Sequence, residues 1–345
     1  MIRTTLIGSQ PEFEIGILRT GPDTFDSTSP SLNHDEIKKT LHDQQRINIE
    51  NQLSVGLDVV AEGEMGRVDK KGVGHAYVSY IARFMSGLTS PFHQFSPSDP
   101  PLIITGRLSD LDPTIICDDW ALAQSFSDRP VKINLPGPLT FATRFTNTYH
   151  RRLSECSYEF AHILNEQIHA LVERGCKWIQ LDDPGLTADP ASAIEFGVEH
   201  INVALKGVPA ATEVIIHLCR GNEYRLGGRD RETPSEPYYL PLAERLSDSL
   251  ATGVSIESPH EYSNKFHLKA FGEKNIHLGI IDVNGDFPSE EHMISIIRSA
   301  LNEIPSQRLF ITPNCGIKHL SHKNAKKMLV SMVSAVKQVN LNLGF

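Results

Sequence analysis

The chain has 345 residues, enough for one large α/β domain or two modest ones. Hydrophobic residues at 40% and charged residues at 22% mark a folded globular protein and exclude a disordered tail. A formal net charge of -9 argues against a nucleic-acid or anionic-membrane partner, and no stretch has the length of a membrane span or the pattern of a signal segment.

Eight short apolar runs follow one another along the chain, at residues 5–8, 57–61, 131–135, 178–181, 213–218, 254–256, 278–283 and 309–312. Amphipathic, helix-like segments lie between several of them, at 158–174, 241–250, 289–302 and 323–339. Strand and helix alternating eight times predict a (β/α)8 TIM barrel, here a single domain over 1–345; a doubly wound open sheet is the alternative. The gap between the second and third runs is too long for a simple connection. Residues 66–128 are therefore expected to include an inserted subdomain or lid, with a Pro/Ser-rich stretch at 90–101 and a small strand at 102–105.

The ends of three late runs carry metal-ligand chemistry. In I-I-H-L-C, His217 and Cys219 are two positions apart, and on a strand such residues face the same way. S-I-E-S ends the next run at Glu257, and F-I-T-P-N-C-G places Cys315 after the last one. Barrel enzymes build their sites at the carboxyl ends of the strands, so the fold would gather these four groups. One imidazole, two thiolates and one carboxylate suit tetrahedral zinc. A buried cysteine beside a hydrogen-bonded histidine is the plainer reading of the pair alone, and Glu257 could instead be a base or a substrate anchor. The ligands are scattered over more than a quarter of the chain, which favours a catalytic ion. Such a zinc would carry a formal charge of about -1, which suits holding a substrate thiol as thiolate better than activating water. Cys117, Cys156 and Cys176 are expected to be structural. Five cysteines without paired spacing fit a reducing cytoplasm.

These residues, with several ordered motifs, resemble the catalytic half of the cobalamin-independent methionine synthases. The motifs are T-T-L-I-G-S-Q-P (4–11), G-L-D-V-V-A-E-G-E-M-G-R-V-D (56–69), G-P-L-T (137–140) and W-I-Q-L-D-D-P (178–184). H-L-C, S-I-E, L-G-I-I-D-V (278–283) and P-N-C-G-I-K (313–318) complete the set. The resemblance implies a zinc-dependent methyltransferase of methionine biosynthesis, with His217, Cys219, Glu257 and Cys315 as the zinc and catalytic residues. It further implies an L-homocysteine pocket. Ile7, Gly8 and Ser9 would hold the amino-acid carboxylate, and Glu64 and Asp182 its ammonium. By themselves, Glu64 reads as a solvated loop acid and Asp182 as a helix cap.

The departures from that family fall on the donor side. The chain is expected to lack the family's second barrel; Arg144 follows G-P-L-T where the family has a Trp on the pterin; Asn284 replaces a His after D-V; and Asp183 shortens an Asp-Glu-Pro motif. Asparagine is no general acid, so plain methyltetrahydrofolate is doubtful, and the methyl donor could be a folate, a corrinoid or a partner protein. R-L-G-G-R-D-R (225–231) could be a mobile lid over the donor or a solvated loop. The alternatives in function are a thiol alkyltransferase of the coenzyme M type and a non-catalytic thiol or amino-acid binder.

Overall fold

The computed structural model describes residues 1–11, 34–65, 67, 77–89, 102–219, 236–257 and 267–345. Among the described residues, eleven strands run in the order β1 (Arg3–Thr4), β2 (Val60–Ala61), β3 (Ser86–Thr89), β4 (Ile103–Ser109), β5 (Val131–Pro136) and β6 (Thr146–Asn147), then β7 (Trp178–Asp182), β8 (Glu213–Leu218), β9 (Gly253–Glu257), β10 (Asn275–Ile281) and β11 (Leu309–Pro313). The helices are α1 (His34–Val55), α2 (Tyr77–Ala82), α3 (Pro113–Ser125), α4 (Pro138–Arg144), α5 (Leu153–Glu173), α6 (Gly185–Ala188), α7 (Pro190–Ser192), α8 (Val198–Leu205), α9 (Glu236–Ser247), α10 (Glu290–Leu301) and α11 (His322–Asn342). No helix among the described residues is long and apolar enough to cross a membrane.

Eight strands form one parallel sheet in the order β1-β11-β10-β9-β8-β7-β5-β2. Its two end strands adjoin, because Thr4 O accepts from the backbone N–H groups of Asp58 at 3.1 Å and Val59 at 3.2 Å. The sheet therefore curls into the expected TIM barrel. Where β2 has no ladder toward β1, the Gln52 amide of α1 takes its place, accepting from Ala61 N at 2.7 Å and donating to Ala61 O at 2.8 Å.

Strands β5, β7, β8 and β9 of the barrel are buried on both faces, and their alternate residues differ in kind. Val131, Ile133 and Leu135 of β5, Ile179 and Leu181 of β7, and Val214, Ile216 and Leu218 of β8 belong to the apolar layer beneath the helices. The intervening positions carry Lys132, Asn134, Gln180, Asp182, His217 and Ser255, so the axis of the barrel is polar. Near its floor, His277 stacks on Phe310 with centroids 4.3 Å apart, and Arg3 lies 3.9 Å over the same ring.

The first strand ends earlier than the apolar run 5–8 suggests. Thr5 N still donates to Ile311 O at 3.1 Å. The next donor in a parallel ladder would be residue 313, which is a proline without an N–H. Released from the sheet, Leu6 to Ser9 bends over the rim as loop. Between β2 and β5 lie α2, β3, β4 and α3. Of these, α3 packs on α1 and α5, and Trp120 Nε1 donates to Val131 O at 3.1 Å. The strand foreseen at 102–105 is the start of β4, which joins β3 and β6 in a separate three-stranded sheet. Residues 90–101 and the proposed lid at 225–231 lie outside the described residues.

Asp183 clamps two of the rim motifs together. Its fully buried carboxylate caps α4 from a distance, accepting from Thr140 N and Thr140 Oγ1, both at 2.7 Å, and from Leu139 N at 3.4 Å. Burial pushes the carboxyl up to about 6, and the Thr140 and Leu139 donors oppose that shift. A Cβ on Gly137 would sit 2.3 Å from this side chain, which accounts for the glycine before Pro138. Replacing Asp183 with alanine strands these donors. The expected loss is about 3 kcal/mol of folding stability, read as a lower urea midpoint at unchanged slope. A loss under about 0.5 kcal/mol would show that the clamp contributes little.

Candidate metal centre

The C-terminal rim of the barrel gathers the three soft donors. Ligand atoms of His217, Cys219 and Cys315 all lie within 4.8 Å of one another. His217 is 2% exposed on β8 and Cys219 follows one residue past its end. Cys315 comes from two residues beyond β11. Its loop is secured on one side by Asn314, whose N–H donates to Ile281 O at 2.9 Å, and on the other by Ile317 N donating to Ser9 O at 2.9 Å. Thr187 Oγ1 donates to Cys219 O at 2.7 Å and fixes the other thiol's backbone.

The protonation pattern suits an ion. His217 Nδ1 and Ser255 Oγ are 3.0 Å apart, whereas His217 Nε2 is buried with no hydrogen-bond partner among the described residues. An ion on Nε2 leaves the proton on Nδ1, donated to Ser255, the arrangement that usually orients a metal-binding imidazole. A hydrogen bond from Cys219 draws the Cys315 thiol well below its usual range, with His217 assisting and burial opposing. The other thiols behave oppositely. Burial pushes Cys156 and Cys176 up to about 12 and also raises Cys117, so these three are inert core groups. All five cysteines are free. Two thiols and an imidazole fit a borderline-soft divalent ion. Ser255→Ala is expected to weaken that ion's binding by about 10- to 100-fold in a competition titration with a chelator; unchanged affinity would show that Ser255 does not orient His217.

Glu257 ends β9, two residues beyond Ser255 on the same strand and in register with Gly279 of β10. It is not within the 4.8 Å group formed by the other three.

The residues of the expected amino-acid pocket also converge. Gly8 is so tightly packed that a Cβ there would lie 2.3 Å from Asn134 Nδ2 and 3.0 Å from Glu64 Oε1. Asn134 Nδ2 donates to Ile7 O and to Asp182 Oδ2, each at 3.0 Å. The 7–9 segment thus lies between the acids and the Cys315 loop, which Ser9 O touches. Glu64 adopts the left-handed conformation, φ 65°, uncommon for a residue with a Cβ. Glu62 Oε2 accepts its N–H at 3.0 Å, and Arg67 lies 3.4 Å from its carboxylate. Burial pushes Glu62 up to about 7, with Arg67 opposing. Of the residues expected on the donor side, Arg144 ends α4 and Asn284 lies three residues beyond β10; both are exposed.

Sequence reasoning missed Lys132, Asn134, Gln180 and Ser255, all facing the axis. The available signal was polar residues at every second position of otherwise apolar strands, as in V-K-I-N-L and W-I-Q-L-D.

Residues 1–338 match the family described as the cobalamin-independent synthase catalytic domain. The chain belongs to the cobalamin-independent methionine synthase family. A methionine synthase of Saccharolobus solfataricus is 27% identical over 99% of this chain and 96% of its own length. A 5-methyltetrahydropteroyltriglutamate–homocysteine methyltransferase of Halalkalibacterium halodurans is 26% identical over 98% of this chain, but the match covers only 43% of that longer protein. The structure of a B12-independent methionine synthase from Shewanella sp. W3-18-1, in complex with selenomethionine, has the same fold, with a TM-score of 0.83 at 23% identity over 99% of this chain and 98% of that one. A methyltransferase from Methanosarcina mazei resembles it more distantly, with a TM-score of 0.57 at 14% identity over 90% of this chain and 92% of that one.

Proposed function

We propose that this methionine synthase-like protein is a zinc-dependent methyltransferase that moves a methyl group to the thiol of L-homocysteine, forming methionine. The observation that carries the reading is the placement of the 7–9 segment between the His217, Cys219 and Cys315 cluster and the carboxylates of Glu64 and Asp182. A thiol reaching the cluster would thereby have an amino-acid head within reach of anionic acceptors. His217, Cys219 and Cys315 are the zinc ligands in this reading, with Glu257 nearby as a fourth, displaceable one. Zinc held there supplies a positive charge that lowers the pKa of a substrate thiol. The chain's own residues do the rest: Glu64 and Asp182 accept hydrogen bonds from the ammonium, Ile7, Gly8 and Ser9 hold the carboxylate, and the buried rim fixes the sulfur for in-line attack on the methyl carbon.

Asn284 offers no proton to a leaving folate nitrogen, and Arg144 offers no stacking ring. The donor proposed is therefore a methylcorrinoid or a methyl-carrying partner protein rather than plain methyltetrahydrofolate. A coenzyme M type of acceptor is disfavoured by the same acids, since a sulfonate would face two carboxylates. The deciding experiment is calorimetry of L-homocysteine on zinc-loaded and zinc-stripped protein, with coenzyme M as the control thiol. Zinc-dependent binding of homocysteine alone is expected. No binding, or preference for the sulfonate, overturns the assignment, and methyl transfer from methyltetrahydrofolate at the rate of a methylcorrinoid overturns the donor reading.

A further inference from the structure

Beneath the rim lies a charged group that neither the metal cluster nor the substrate contacts explain. Lys132 on β5 is 0% exposed and faces the barrel axis. Its Nζ donates to Leu6 O and to Gln180 Oε1. Among the described residues it forms no direct ion pair. Isolated buried ammonium groups are costly, so a position that keeps one needs a compensating use. Burial lowers the ammonium to about 7, and Asp182 is the charge that opposes the shift.

The link to Asp182 passes through an amide whose direction Lys132 dictates. An amide side chain has one accepting end and one donating end, and an ammonium can only donate. With Gln180 Oε1 turned to Lys132, Gln180 Nε2 is aimed at Asp182 and donates to its Oδ1 at 2.6 Å. The other oxygen, Oδ2, accepts from Asn134 at 3.0 Å. Both oxygens are thus oriented by amide donors. Lys132 and Asn134 also hold the Leu6 and Ile7 carbonyls that the β1 ladder leaves unpaired. One strand of the barrel therefore sets both the acid and the rim segment.

We propose that Lys132 is a positioning residue for recognition of the substrate's ammonium group: through Gln180 it aims Asp182, and through Leu6 it holds the segment leading to Gly8 and Ser9. It selects α-amino thiols over thiols that lack the amine. This inference rests on the homocysteine reading above.

The test compares L-homocysteine with 4-mercaptobutanoate, the same chain without its amino group, by calorimetry on zinc-loaded protein. In Lys132→Met, homocysteine binding is expected to weaken about ten-fold or more, the scale of one hydrogen bond to a charged group, while the des-amino thiol, which shares only the carboxylate held by the 7–9 segment, weakens clearly less. Gln180→Glu serves as the second variant, because a glutamate pairs with Lys132 yet cannot donate to Asp182. It is expected to shift the preference between the two thiols in the same direction. Zinc content and circular dichroism establish that each variant is folded, and Gln180→Glu decides the matter if Lys132→Met does not fold. An equal loss for both thiols, or no change of preference in a folded variant, overturns the role of Lys132 alone. Absence of zinc-dependent homocysteine binding in the unaltered protein overturns the homocysteine reading with it.

Discussion

Cys219→Ser and Cys315→Ser are each expected to lose bound zinc and methyl transfer together. The three soft donors lie within 4.8 Å of one another, and each comes from a segment anchored by its own hydrogen bonds. A serine hydroxyl stays protonated where the Cys315 thiol is readily ionised, so it gives up the anionic ligand without altering the shape of the site. Metal affinity should fall by more than about 100-fold, the upper range for changes that merely touch a ligand's hydrogen-bond partner. Metal analysis after exhaustive dialysis and a methylation assay provide the two readouts. Retention of stoichiometric zinc and full turnover in both variants would falsify the metal-centre reading. Cys176→Ser serves as a control, because that thiol is a buried core group, and its metal content should equal that of the unaltered protein.

Asp182→Asn is expected to separate amino-acid binding from metal binding. Its two oxygens accept from Gln180 and Asn134. An asparagine there presents an NH2 to one of these donors, so the substitution removes the charge and sets two donors against each other. Losing one partner of a largely buried charge pair costs about 2–5 kcal/mol, roughly 30-fold to several thousand-fold in the dissociation constant of homocysteine. Zinc content should be unchanged, since Asp182 is not in the metal group. Homocysteine binding within about three-fold of the unaltered protein would remove Asp182 from the ammonium site.

The residues that sequence reading found and those it missed differ in a physical way. His217, Cys219 and Cys315 were visible because thiols and imidazoles at strand ends are rare and chemically distinctive. Lys132 was hidden because a lysine in a short strand reads as a solvated side chain until its face is known. Its burial follows from closure of the barrel, which turns one face of β5 toward the axis. Asp183 was noticed only as a shortened family motif. Its work as a clamp on α4 depends on β7 and α4 meeting at the rim, a contact no local pattern encodes. The early end of β1 was missed because the reason lies 309 positions away, if Thr4 and Pro313 are compared, in a proline on the neighbouring strand.

By itself, then, the chain's pattern determined what is periodic or chemically singular: eight apolar runs, the alternation with helices, and the three side chains of the candidate metal cluster. Periodicity is a local property and survives without knowledge of partners. Tertiary structure alone decided which groups touch. It brought β11 beside β1 and so set Ser9 against the Cys315 loop, and it placed Asn134 between Ile7 and Asp182. It also separated the ionisable Cys315 from the inert Cys156 and Cys176, because a thiol's acidity follows from its burial and its neighbours, which are settled only when the barrel closes.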